Sequence, residues 1–230
     1  MKICIFSDIH GNGPAFNAAY GMITSEKADI NIFLGDLCGY YYDQMEILDR
    51  LTAIPKLSAV KGNHDHIFLG IISGDSELGV TYMKKYGCSM ENLLNNDTTG
   101  LVRWLSGLPE SCAVADTAMS CYHGSPWDLM EGYVYPDSRL DRFLDYPELY
   151  FLLGHTHYPM VRRIGDKFII NPGSVGQPRN RQSGAHWVLF NTVSRSVEFR
   201  QEQYDSSELV RECQQRHPEL PYLAEVLTRK

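Results

Sequence analysis

Residues 3–13 read Ile-Cys-Ile-Phe-Ser-Asp-Ile-His-Gly-Asn-Gly, and this stretch decides the class of fold. Its first five residues are a short run rich in isoleucine and phenylalanine, which has the length and composition of a buried strand. A polar turn follows and leads into apolar residues at helical spacing, Phe16, Ala19, Tyr20 and Ile23. Because this spacing is typical of an amphipathic helix, the first unit is predicted to be strand, loop, helix.

The same order of elements repeats along the chain and predicts an α/β fold. Further strands are predicted at residues 30–34, 57–60, 113–115, 118–122 and 150–153, with a tight turn at Asp116 and Thr117 between two of them. Residues 66–109 are interpreted as a helical insertion, and residues 206–230 as a helical C-terminal tail. The 230 residues contain no linker or internal repeat, so one domain spanning residues 1–230 is expected.

The composition excludes several classes of function. The chain has 21 basic and 28 acidic residues, and its net charge of -7 argues against binding of duplex nucleic acid, which depends on lysine and arginine. No apolar run approaches the roughly 20 residues of a membrane span. Six cysteines without a Cys-x-x-Cys pair, and no export signal, predict a cytoplasmic protein with reduced thiols. The choice between a monomer and a homo-oligomer stays open.

Polar side chains of the kinds that bind metals follow five of the predicted strands. They are Asp8 and His10; Asp36; Asn63, His64 and Asp65; His123; and His155 and His157. Taken singly, an aspartate after a strand is more often a helix cap, and a histidine is more often a satisfied core residue. Caps and turns give no reason for five strand ends to share such side chains. Because the carboxyl ends of strands line the ligand crevice of an open α/β sheet, we expect these clusters to converge.

The residue types in these clusters indicate two divalent metal ions. Carboxylate, amide and imidazole ligands without cysteine suit borderline ions such as Mn, Fe, Zn, Co or Ni. Seven candidate ligands are too many for one tetrahedral ion. Two ions about 3.5–4 Å apart would instead clamp the attacking and leaving oxygens of an in-line phosphoryl displacement.

The motifs Asp-x-His, Gly-Asp, Gly-Asn-His-Asp, a later His and Gly-His-x-His, in this order, resemble the signature of the calcineurin-like metallophosphoesterase superfamily. Residues 8–12, 35–40, 123–126 and 154–177 also resemble its small prokaryotic phosphodiesterase or phosphatase branch. The resemblance extends from residue 3 to about residue 190. It implies a four-layer αββα sandwich of two mostly mixed sheets flanked by helices, whereas periodicity alone indicates only a doubly wound α/β sheet.

The resemblance also implies how the candidate ligands divide between two ions. One ion would be held by Asp8, His10 and His157, the other by Asn63, His123 and His155, with Asp36 between them. His64 matches the non-ligand catalytic histidine of the superfamily, and Asp65 is expected to accept the other ring proton of His64 and to orient the ring.

The implied reaction is the hydrolysis of small phosphodiesters or phosphomonoesters. A hydroxide that bridges the two ions, with Mn as the expected metal, would attack phosphorus in line, and His64 would stabilise the transition state or protonate the leaving oxygen. Nucleotides and dinucleoside polyphosphates are among the candidate substrates.

Four residues are predicted to contact the substrate. Tyr40 and Tyr41 follow the Asp36 turn and would stack on a base, and Arg179 and Arg181 would bind a phosphate. Further aromatic residues follow the His123 loop, namely Trp127, Tyr133 and Tyr135. Packing beneath loops is the alternative for the aromatic residues, and an ordinary surface position is the alternative for the arginines.

Two other classes of protein are alternatives to a metallophosphoesterase. A β-lactamase-like metallohydrolase has an early His-x-His-x-Asp-His motif, but here the His-x-His comes late, and Pro159 and Met160 replace the Asp and His. A catalytically silent scaffold of the same fold, which would act as a protein-interaction platform, would have a degraded site. Because every ligand position and His64 are filled, the sequence favours an enzyme.

Overall fold

The computed structural model describes residues 1–115 and 117–229 and contains two mixed five-stranded sheets. The first sheet consists of β1 (Lys2–Phe6), β2 (Ile30–Phe33), β3 (Leu57–Ala59), β9 (Ala185–Asn191) and β10 (Ser196–Glu202), in the order β10-β9-β1-β2-β3. The second consists of β4 (Ser111–Val114), β5 (Met119–Tyr122), β6 (Tyr150–Leu153), β7 (Met160–Ile164) and β8 (Lys167–Asn171), in the order β4-β5-β6-β8-β7. Asp116 of the predicted turn and Lys230 of the predicted tail lie outside the described residues.

Each sheet combines three parallel strands with two strands that pair in an antiparallel way. In the first sheet β1, β2 and β3 are parallel, and β9 and β10 add antiparallel strands next to β1. In the second sheet β5, β6 and β8 are parallel, and β4 and β7 are the antiparallel edges. Because parallel strands end at the same side of a sheet, the residues after β1, β2, β5 and β6 are carried to two neighbouring edges.

Eight α-helices lie in residues 1–115 and 117–229. They are α1 (Gly13–Ser25), α2 (Gln44–Thr52), α3 (Asn63–Ile72), α4 (Ser76–Tyr86), α5 (Ser89–Leu94), α6 (Thr99–Gly107), α7 (Ser207–Arg216) and α8 (Tyr222–Thr228). A short 3-10 helix spans Asp141–Asp145. In the described part of the chain, no helix is both long enough and apolar enough to cross a bilayer.

Alternation along the first strand produces two separate apolar cores. Ile3 and Ile5 of β1 face the second sheet and pack with Leu152 and Ile170, which form the layer between the sheets. Cys4 and Phe6 point to the other side, where the helices cover them. Because both faces of β1 are buried, its sequence is a continuous apolar run rather than an alternating one.

The outer face of the second sheet is covered by a thinner layer. Phe151 and Ile169 pack there against Leu140 and Phe143, which belong to the loop and the 3-10 helix that precede β6. The order of layers is therefore helices, sheet, sheet and a helical layer. The predicted αββα sandwich of two mixed sheets is confirmed, and the single doubly wound sheet that periodicity indicates is wrong, because the strands divide into two stacked sheets.

Candidate metal centre

Side chains from the strand ends of both sheets converge on one buried cluster. The cluster contains every candidate ligand of the sequence analysis: Asp8, His10, Asp36, Asn63, His123, His155 and His157. Within it, Asp8, His10 and His157 offer ligand atoms that lie within 4.8 Å of one another, and so do Asp8, Asp36 and His123. The strand pattern predicts convergence at the edge of one sheet, whereas the histidines at 123, 155 and 157 come from the second sheet.

Two imidazole rings face each other in the first half of the cluster. His10 Nε2 lies 3.1 Å from His157 Nε2, and Asp8 Oδ1 lies 3.4 Å from His157 Nε2. His10 Nδ1 lies 2.9 Å from the carbonyl oxygen of Cys38, and His157 Nδ1 lies 2.7 Å from that of Gln177. Because a carbonyl oxygen only accepts hydrogen bonds, each Nδ1 carries the ring hydrogen and each Nε2 presents its lone pair.

These opposed lone pairs test whether a metal fits the site. Burial lowers the pKa of His10 well below its ordinary value, and burial with the nearby Arg179 lowers the pKa of His157, so both rings are neutral at pH 7. Two bare nitrogen lone pairs 3.1 Å apart repel each other unless a cation accepts both. Asp8 Oδ1 is likewise buried, and no described residue makes a hydrogen bond with it. The residues present therefore fit a divalent cation.

The second half of the cluster combines an amide with two imidazoles. His123 Nδ1 donates to the carbonyl oxygen of Leu34 at 2.7 Å, which leaves His123 Nε2 facing Asn63 Oδ1 at 3.0 Å. Asn63 Nδ2 donates to Glu131 Oε1 at 3.1 Å, and this bond turns the amide oxygen toward the cluster. Within the described part of the chain, His155 Nε2 is buried without a hydrogen-bond partner. Burial opposes a charge on His123, but Asp36 raises the pKa of His123 to about 10, so His123 Nε2 carries a hydrogen and donates it to Asn63 Oδ1. A second cation would displace this hydrogen and could then be held by one oxygen and two nitrogen atoms.

Asp36 lies between the two halves. Its Oδ2 is 3.7 Å from His10 Nε2 and 3.3 Å from His123 Nε2, while its Oδ1 accepts a hydrogen bond from the His64 backbone N–H at 2.9 Å. A Cβ at Gly62 would collide with this carboxylate, so glycine is required there. Burial opposes ionisation, but His123 holds the pKa of Asp36 well below its ordinary value, so the carboxylate is charged at neutral pH.

The backbone of the cluster is strained. Five of its seven candidate ligands have a positive φ, with 56° at Asp8, 52° at His10, 63° at Asp36, 67° at His155 and 61° at His157. Residues other than glycine rarely adopt this left-handed conformation, which costs on the order of 1–3 kcal/mol and concentrates at functional sites. The turn after each strand therefore aims its side chain into the cluster at a cost to stability.

Comparison with known proteins identifies the family of this site. The model of the calcineurin-like phosphoesterase superfamily domain matches residues 1–195. The chain belongs to this superfamily. It is accordingly a metal-dependent phosphoester hydrolase, and the family implies divalent metal ions at the cluster.

Three relatives illustrate how far this calcineurin-like chain resembles known proteins. An uncharacterised protein of Methanocaldococcus jannaschii is 29% identical over 229 residues, which cover 88% of each chain. Phosphodiesterase YfcE of Escherichia coli is 25% identical over 202 residues, which cover 84% of this chain and 89% of the relative. The crystal structure of a metallophosphoesterase from Sphaerobacter thermophilus is 24% identical, has a TM-score of 0.79 and covers 100% of this chain and 99% of its own, which shows a shared fold.

The structure corrects the expected pairing of Asp65 with His64. Asp65 Oδ2 accepts hydrogen bonds from the backbone N–H groups of Asp36 at 2.9 Å and Gly62 at 3.1 Å, and its Oδ1 accepts from that of Cys38 at 2.9 Å. Both carboxylate oxygens of Asp65 are therefore occupied by backbone N–H groups, and Asp65 makes no hydrogen bond to the His64 ring among the described residues. The predicted catalytic role of Asp65 is replaced by a structural one.

A cavity of about 680 Å³ opens in front of the cluster. Of the residues predicted to contact substrate, Tyr40 and Arg179 line it, and the Arg179 guanidinium donates to Tyr40 Oη at 3.0 Å. Tyr41 is fully buried, and its hydroxyl donates to the carbonyl oxygen of Leu223 at 3.1 Å. Arg181 is exposed and does not line the cavity. The buried position of Tyr41 contradicts its predicted stacking role. Phosphate binding by Arg181 stays a prediction.

Several residues of the cavity wall are not marked by any motif in the sequence. They include Tyr82, Lys85 and Tyr86 of α4, Glu131, and Tyr222 and Val226 of α8. Tyr82 and Tyr86 are four residues apart on one helix, a spacing that in sequence is typical of an ordinary apolar helix face. No local signal separated them from core residues, because the cavity is assembled from segments far apart in the chain.

Two of the three later aromatic residues are exposed at the cavity, and the third packs into the fold. Tyr133 and Tyr135 stack with centroids 5.8 Å apart and an interplanar angle of 11°, and Tyr133 lies 4.1 Å from the His155 ring. Trp127 packs against Phe143 instead, at a centroid distance of 4.9 Å. The packing alternative therefore describes Trp127, while the two tyrosines form a planar platform next to the cluster.

Proposed function

We propose that this chain hydrolyses small phosphodiesters with the help of two divalent cations, with Mn as the first choice of metal. One observation carries the proposal. The His10 and His157 Nε2 lone pairs oppose each other at 3.1 Å in a buried site, with an unpartnered Asp8 oxygen beside them. Such a donor set is suited to a cation and to little else. The relationship to a protein named phosphodiesterase supports the diester as the substrate class.

The proposed ligands divide as the superfamily resemblance implies. One cation would be held by Asp8, His10 and His157, the other by Asn63, His123 and His155, and Asp36 would contact both. When bound, such a pair of ions lowers the pKa of water and neutralises developing charge on a phosphoryl group. Because two divalent ions outweigh the two carboxylates, the net charge of -7 does not repel a small phosphoester from this site.

Two residues of the chain are proposed to act on the substrate itself. Arg179 donates to Tyr40 Oη and, at 3.3 Å, to Gln177 Oε1, and it makes no ion pair with a carboxylate in the described part of the chain. Its positive charge is therefore free to bind phosphoryl oxygens, with which a guanidinium matches in geometry. His64 lines the same cavity and would donate a proton or a hydrogen bond to the leaving oxygen.

Segments that are far apart in the chain line the proposed active site, which supports a single domain. α4, from the segment interpreted as an insertion, provides Tyr82 and Lys85, and α8, from the C-terminal tail, provides Tyr222 and Val226. Neither segment is a separate unit in this proposal, because both close the cavity in front of the cluster. The six cysteines are unpaired thiols, which supports the proposed cytoplasmic location.

The decisive test is metal-dependent hydrolysis of bis(p-nitrophenyl) phosphate by the purified chain. We expect turnover with added Mn, loss of turnover after EDTA treatment, and recovery when Mn is restored, because the buried donor set binds the ions reversibly. Metal content would be measured in parallel by elemental analysis. Bound metal with no turnover of any phosphoester would support the scaffold alternative and contradict the proposal.

The platform formed by Tyr133 and Tyr135 predicts a preference for substrates with a planar group. Stacking of a base on an aromatic side chain is worth about 1–3 kcal/mol. Tyr133→Ala is therefore expected to raise KM for a p-nitrophenyl ester of a nucleoside phosphate by about 10-fold. The rise in KM for methyl p-nitrophenyl phosphate should be smaller, because this diester has no base. Tyr133→Phe keeps the ring and is the matched control. Equal rises in KM for both esters in Tyr133→Ala would show that the platform does not select the base.

A further inference from the structure

The ring of His64 contacts Tyr82, a residue that no motif marks in the sequence. Tyr82 Oη lies 3.0 Å from His64 Nδ1, and the two rings meet edge-on with centroids 5.6 Å apart and an interplanar angle of 86°. Tyr82 is 2% exposed and His64 is 5% exposed, so bulk water does not compete for this contact. Asp65, the expected partner, has both oxygens occupied by backbone N–H groups.

We propose that Tyr82 is the positioning residue for His64 and that its hydroxyl donates to His64 Nδ1, which keeps the hydrogen of the neutral ring on Nε2 at the cavity. This inference rests on the proposed function, because it assigns a role in the same hydrolysis. It differs from the implied His64–Asp65 pair, in which a carboxylate would accept a hydrogen from the ring.

The direction of this hydrogen bond follows from the phenol hydrogen. Among the hydrogen bonds of the described residues, Tyr82 Oη takes part in one, the bond to His64 Nδ1. If Nδ1 carried the ring hydrogen, the phenol hydrogen would have to turn to the neighbouring Ser89 hydroxyl, which is buried and would then find no acceptor for its own hydrogen among the described residues. Burial raises the pKa of Tyr82 well above its ordinary value, so the hydroxyl keeps its hydrogen at neutral pH.

The packing around Tyr82 makes it suited to hold a ring in place. Its side chain belongs to the apolar core beneath the helices, and its ring lies 4.9 Å from that of Tyr86. The hydroxyl is therefore fixed on a rigid element rather than on a loop, as an orienting group must be. With Nδ1 engaged, Nε2 is the ring nitrogen left to face the cavity that His64 lines.

This arrangement has a chemical consequence that a carboxylate partner would not produce. A carboxylate beside Nδ1 stabilises the positively charged imidazolium, whereas a neutral phenol donor favours the neutral ring with its hydrogen on Nε2. His64 would then act as a neutral hydrogen-bond donor to the leaving oxygen and keep its Nε2 hydrogen. A donor of this kind matters most when the leaving group is a poor one, because such a group develops the most negative charge on its oxygen.

The test compares two leaving groups in Tyr82→Phe, which removes only the hydroxyl. We expect kcat for diphenyl phosphate to fall about 10-fold or more, as for other groups that orient a functional histidine. The loss for bis(p-nitrophenyl) phosphate should be smaller, and KM should stay within about twofold for both esters. Equal kcat values for Tyr82→Phe and the wild type with diphenyl phosphate would overturn the proposal.

A matched variant separates positioning from stability. Tyr122 is also buried, and its hydroxyl donates to Glu148 Oε1 at 3.1 Å outside the cavity, so Tyr122→Phe loses a comparable bond and should keep wild-type kcat for both esters. If Tyr122→Phe loses kcat in the same pattern, the effect of Tyr82→Phe is general destabilisation and the proposal fails.

The ring nitrogens of His64 provide a second readout that does not need turnover. In the ¹⁵N spectrum of the metal-free protein, we expect His64 to show a protonated Nε2 and a bare Nδ1, and Tyr82→Phe to shift both signals. A protonated Nδ1 in the wild type would overturn the inference. A wild type that hydrolyses neither ester would contradict the proposed function, and these ring signals would then decide the inference about Tyr82 alone.

Discussion

Asp36→Asn is expected to lower turnover by about 10³-fold or more, because charge stabilisation by a metal centre is worth several kcal/mol and each 1.36 kcal/mol is tenfold in rate. Asp36 Oδ2 approaches a histidine ring of each half, at 3.7 Å from His10 Nε2 and 3.3 Å from His123 Nε2. Asparagine keeps the size of the side chain and can still accept the hydrogen bond from the His64 backbone N–H. The substitution therefore removes the charge and leaves the local fold intact.

The measurement for Asp36→Asn combines metal content with turnover of bis(p-nitrophenyl) phosphate. We expect the wild type to bind two equivalents of Mn and the variant to bind one at most. Asp49→Asn makes the same chemical change on the exposed face of α2 and should behave as the wild type. A variant Asp36→Asn that holds two equivalents and turns over normally would contradict the bridging role.

His64→Ala is expected to keep its metal and to lose turnover by roughly 10²–10⁴-fold, the usual contribution of a general acid or base. Metal content has to be measured beside turnover, because His64, His10 and Asp36 also offer ligand atoms within 4.8 Å of one another. In the proposed arrangement His64 Nδ1 is bound to Tyr82 and Nε2 serves the leaving group, so its removal leaves the ligand set complete.

His66→Ala is the control for this variant. His66 lies two residues further along α3, and its side chain is exposed, so it shares the helix but not the cavity. Thermal unfolding would show that both variants remain folded. Loss of one metal equivalent from His64→Ala would show that His64 is a metal ligand and not the donor to the leaving oxygen. Unchanged turnover would show that His64 has no role in the reaction.

The candidate ligands could be predicted because their signal is local. Each of the five strand ends combines an apolar run with an adjacent oxygen or imidazole group, and both features lie within a few residues of one another in sequence. Parallel strands then carry their carboxyl ends to a common side. The left-handed backbone at Asp8, His10 and Asp36 left no such trace, because no glycine marks these positions.

Residues around the cluster were harder to predict because their roles depend on distant segments. Tyr40 and Tyr41 are neighbours in one turn, yet Tyr40 lines the cavity and Tyr41 is fully buried against α8. Arg179 and Arg181 differ in a similar way, because Arg179 lines the cavity and donates to Tyr40 Oη, whereas Arg181 is exposed. A side chain's direction at a turn is set by backbone angles that composition does not reveal.

By itself, the sequence determined the α/β class, the superfamily and the set of side chains available for metal binding, because these follow from short apolar runs and the polar residues next to them. Only the tertiary structure decided that the strands form two stacked sheets and that both contribute to one cluster. It also decided that Asp65 binds backbone N–H groups while Tyr82, from α4, reaches His64. Hydrogen bonds need their partners within about 3 Å, and the folded chain alone establishes which distant segments come that close.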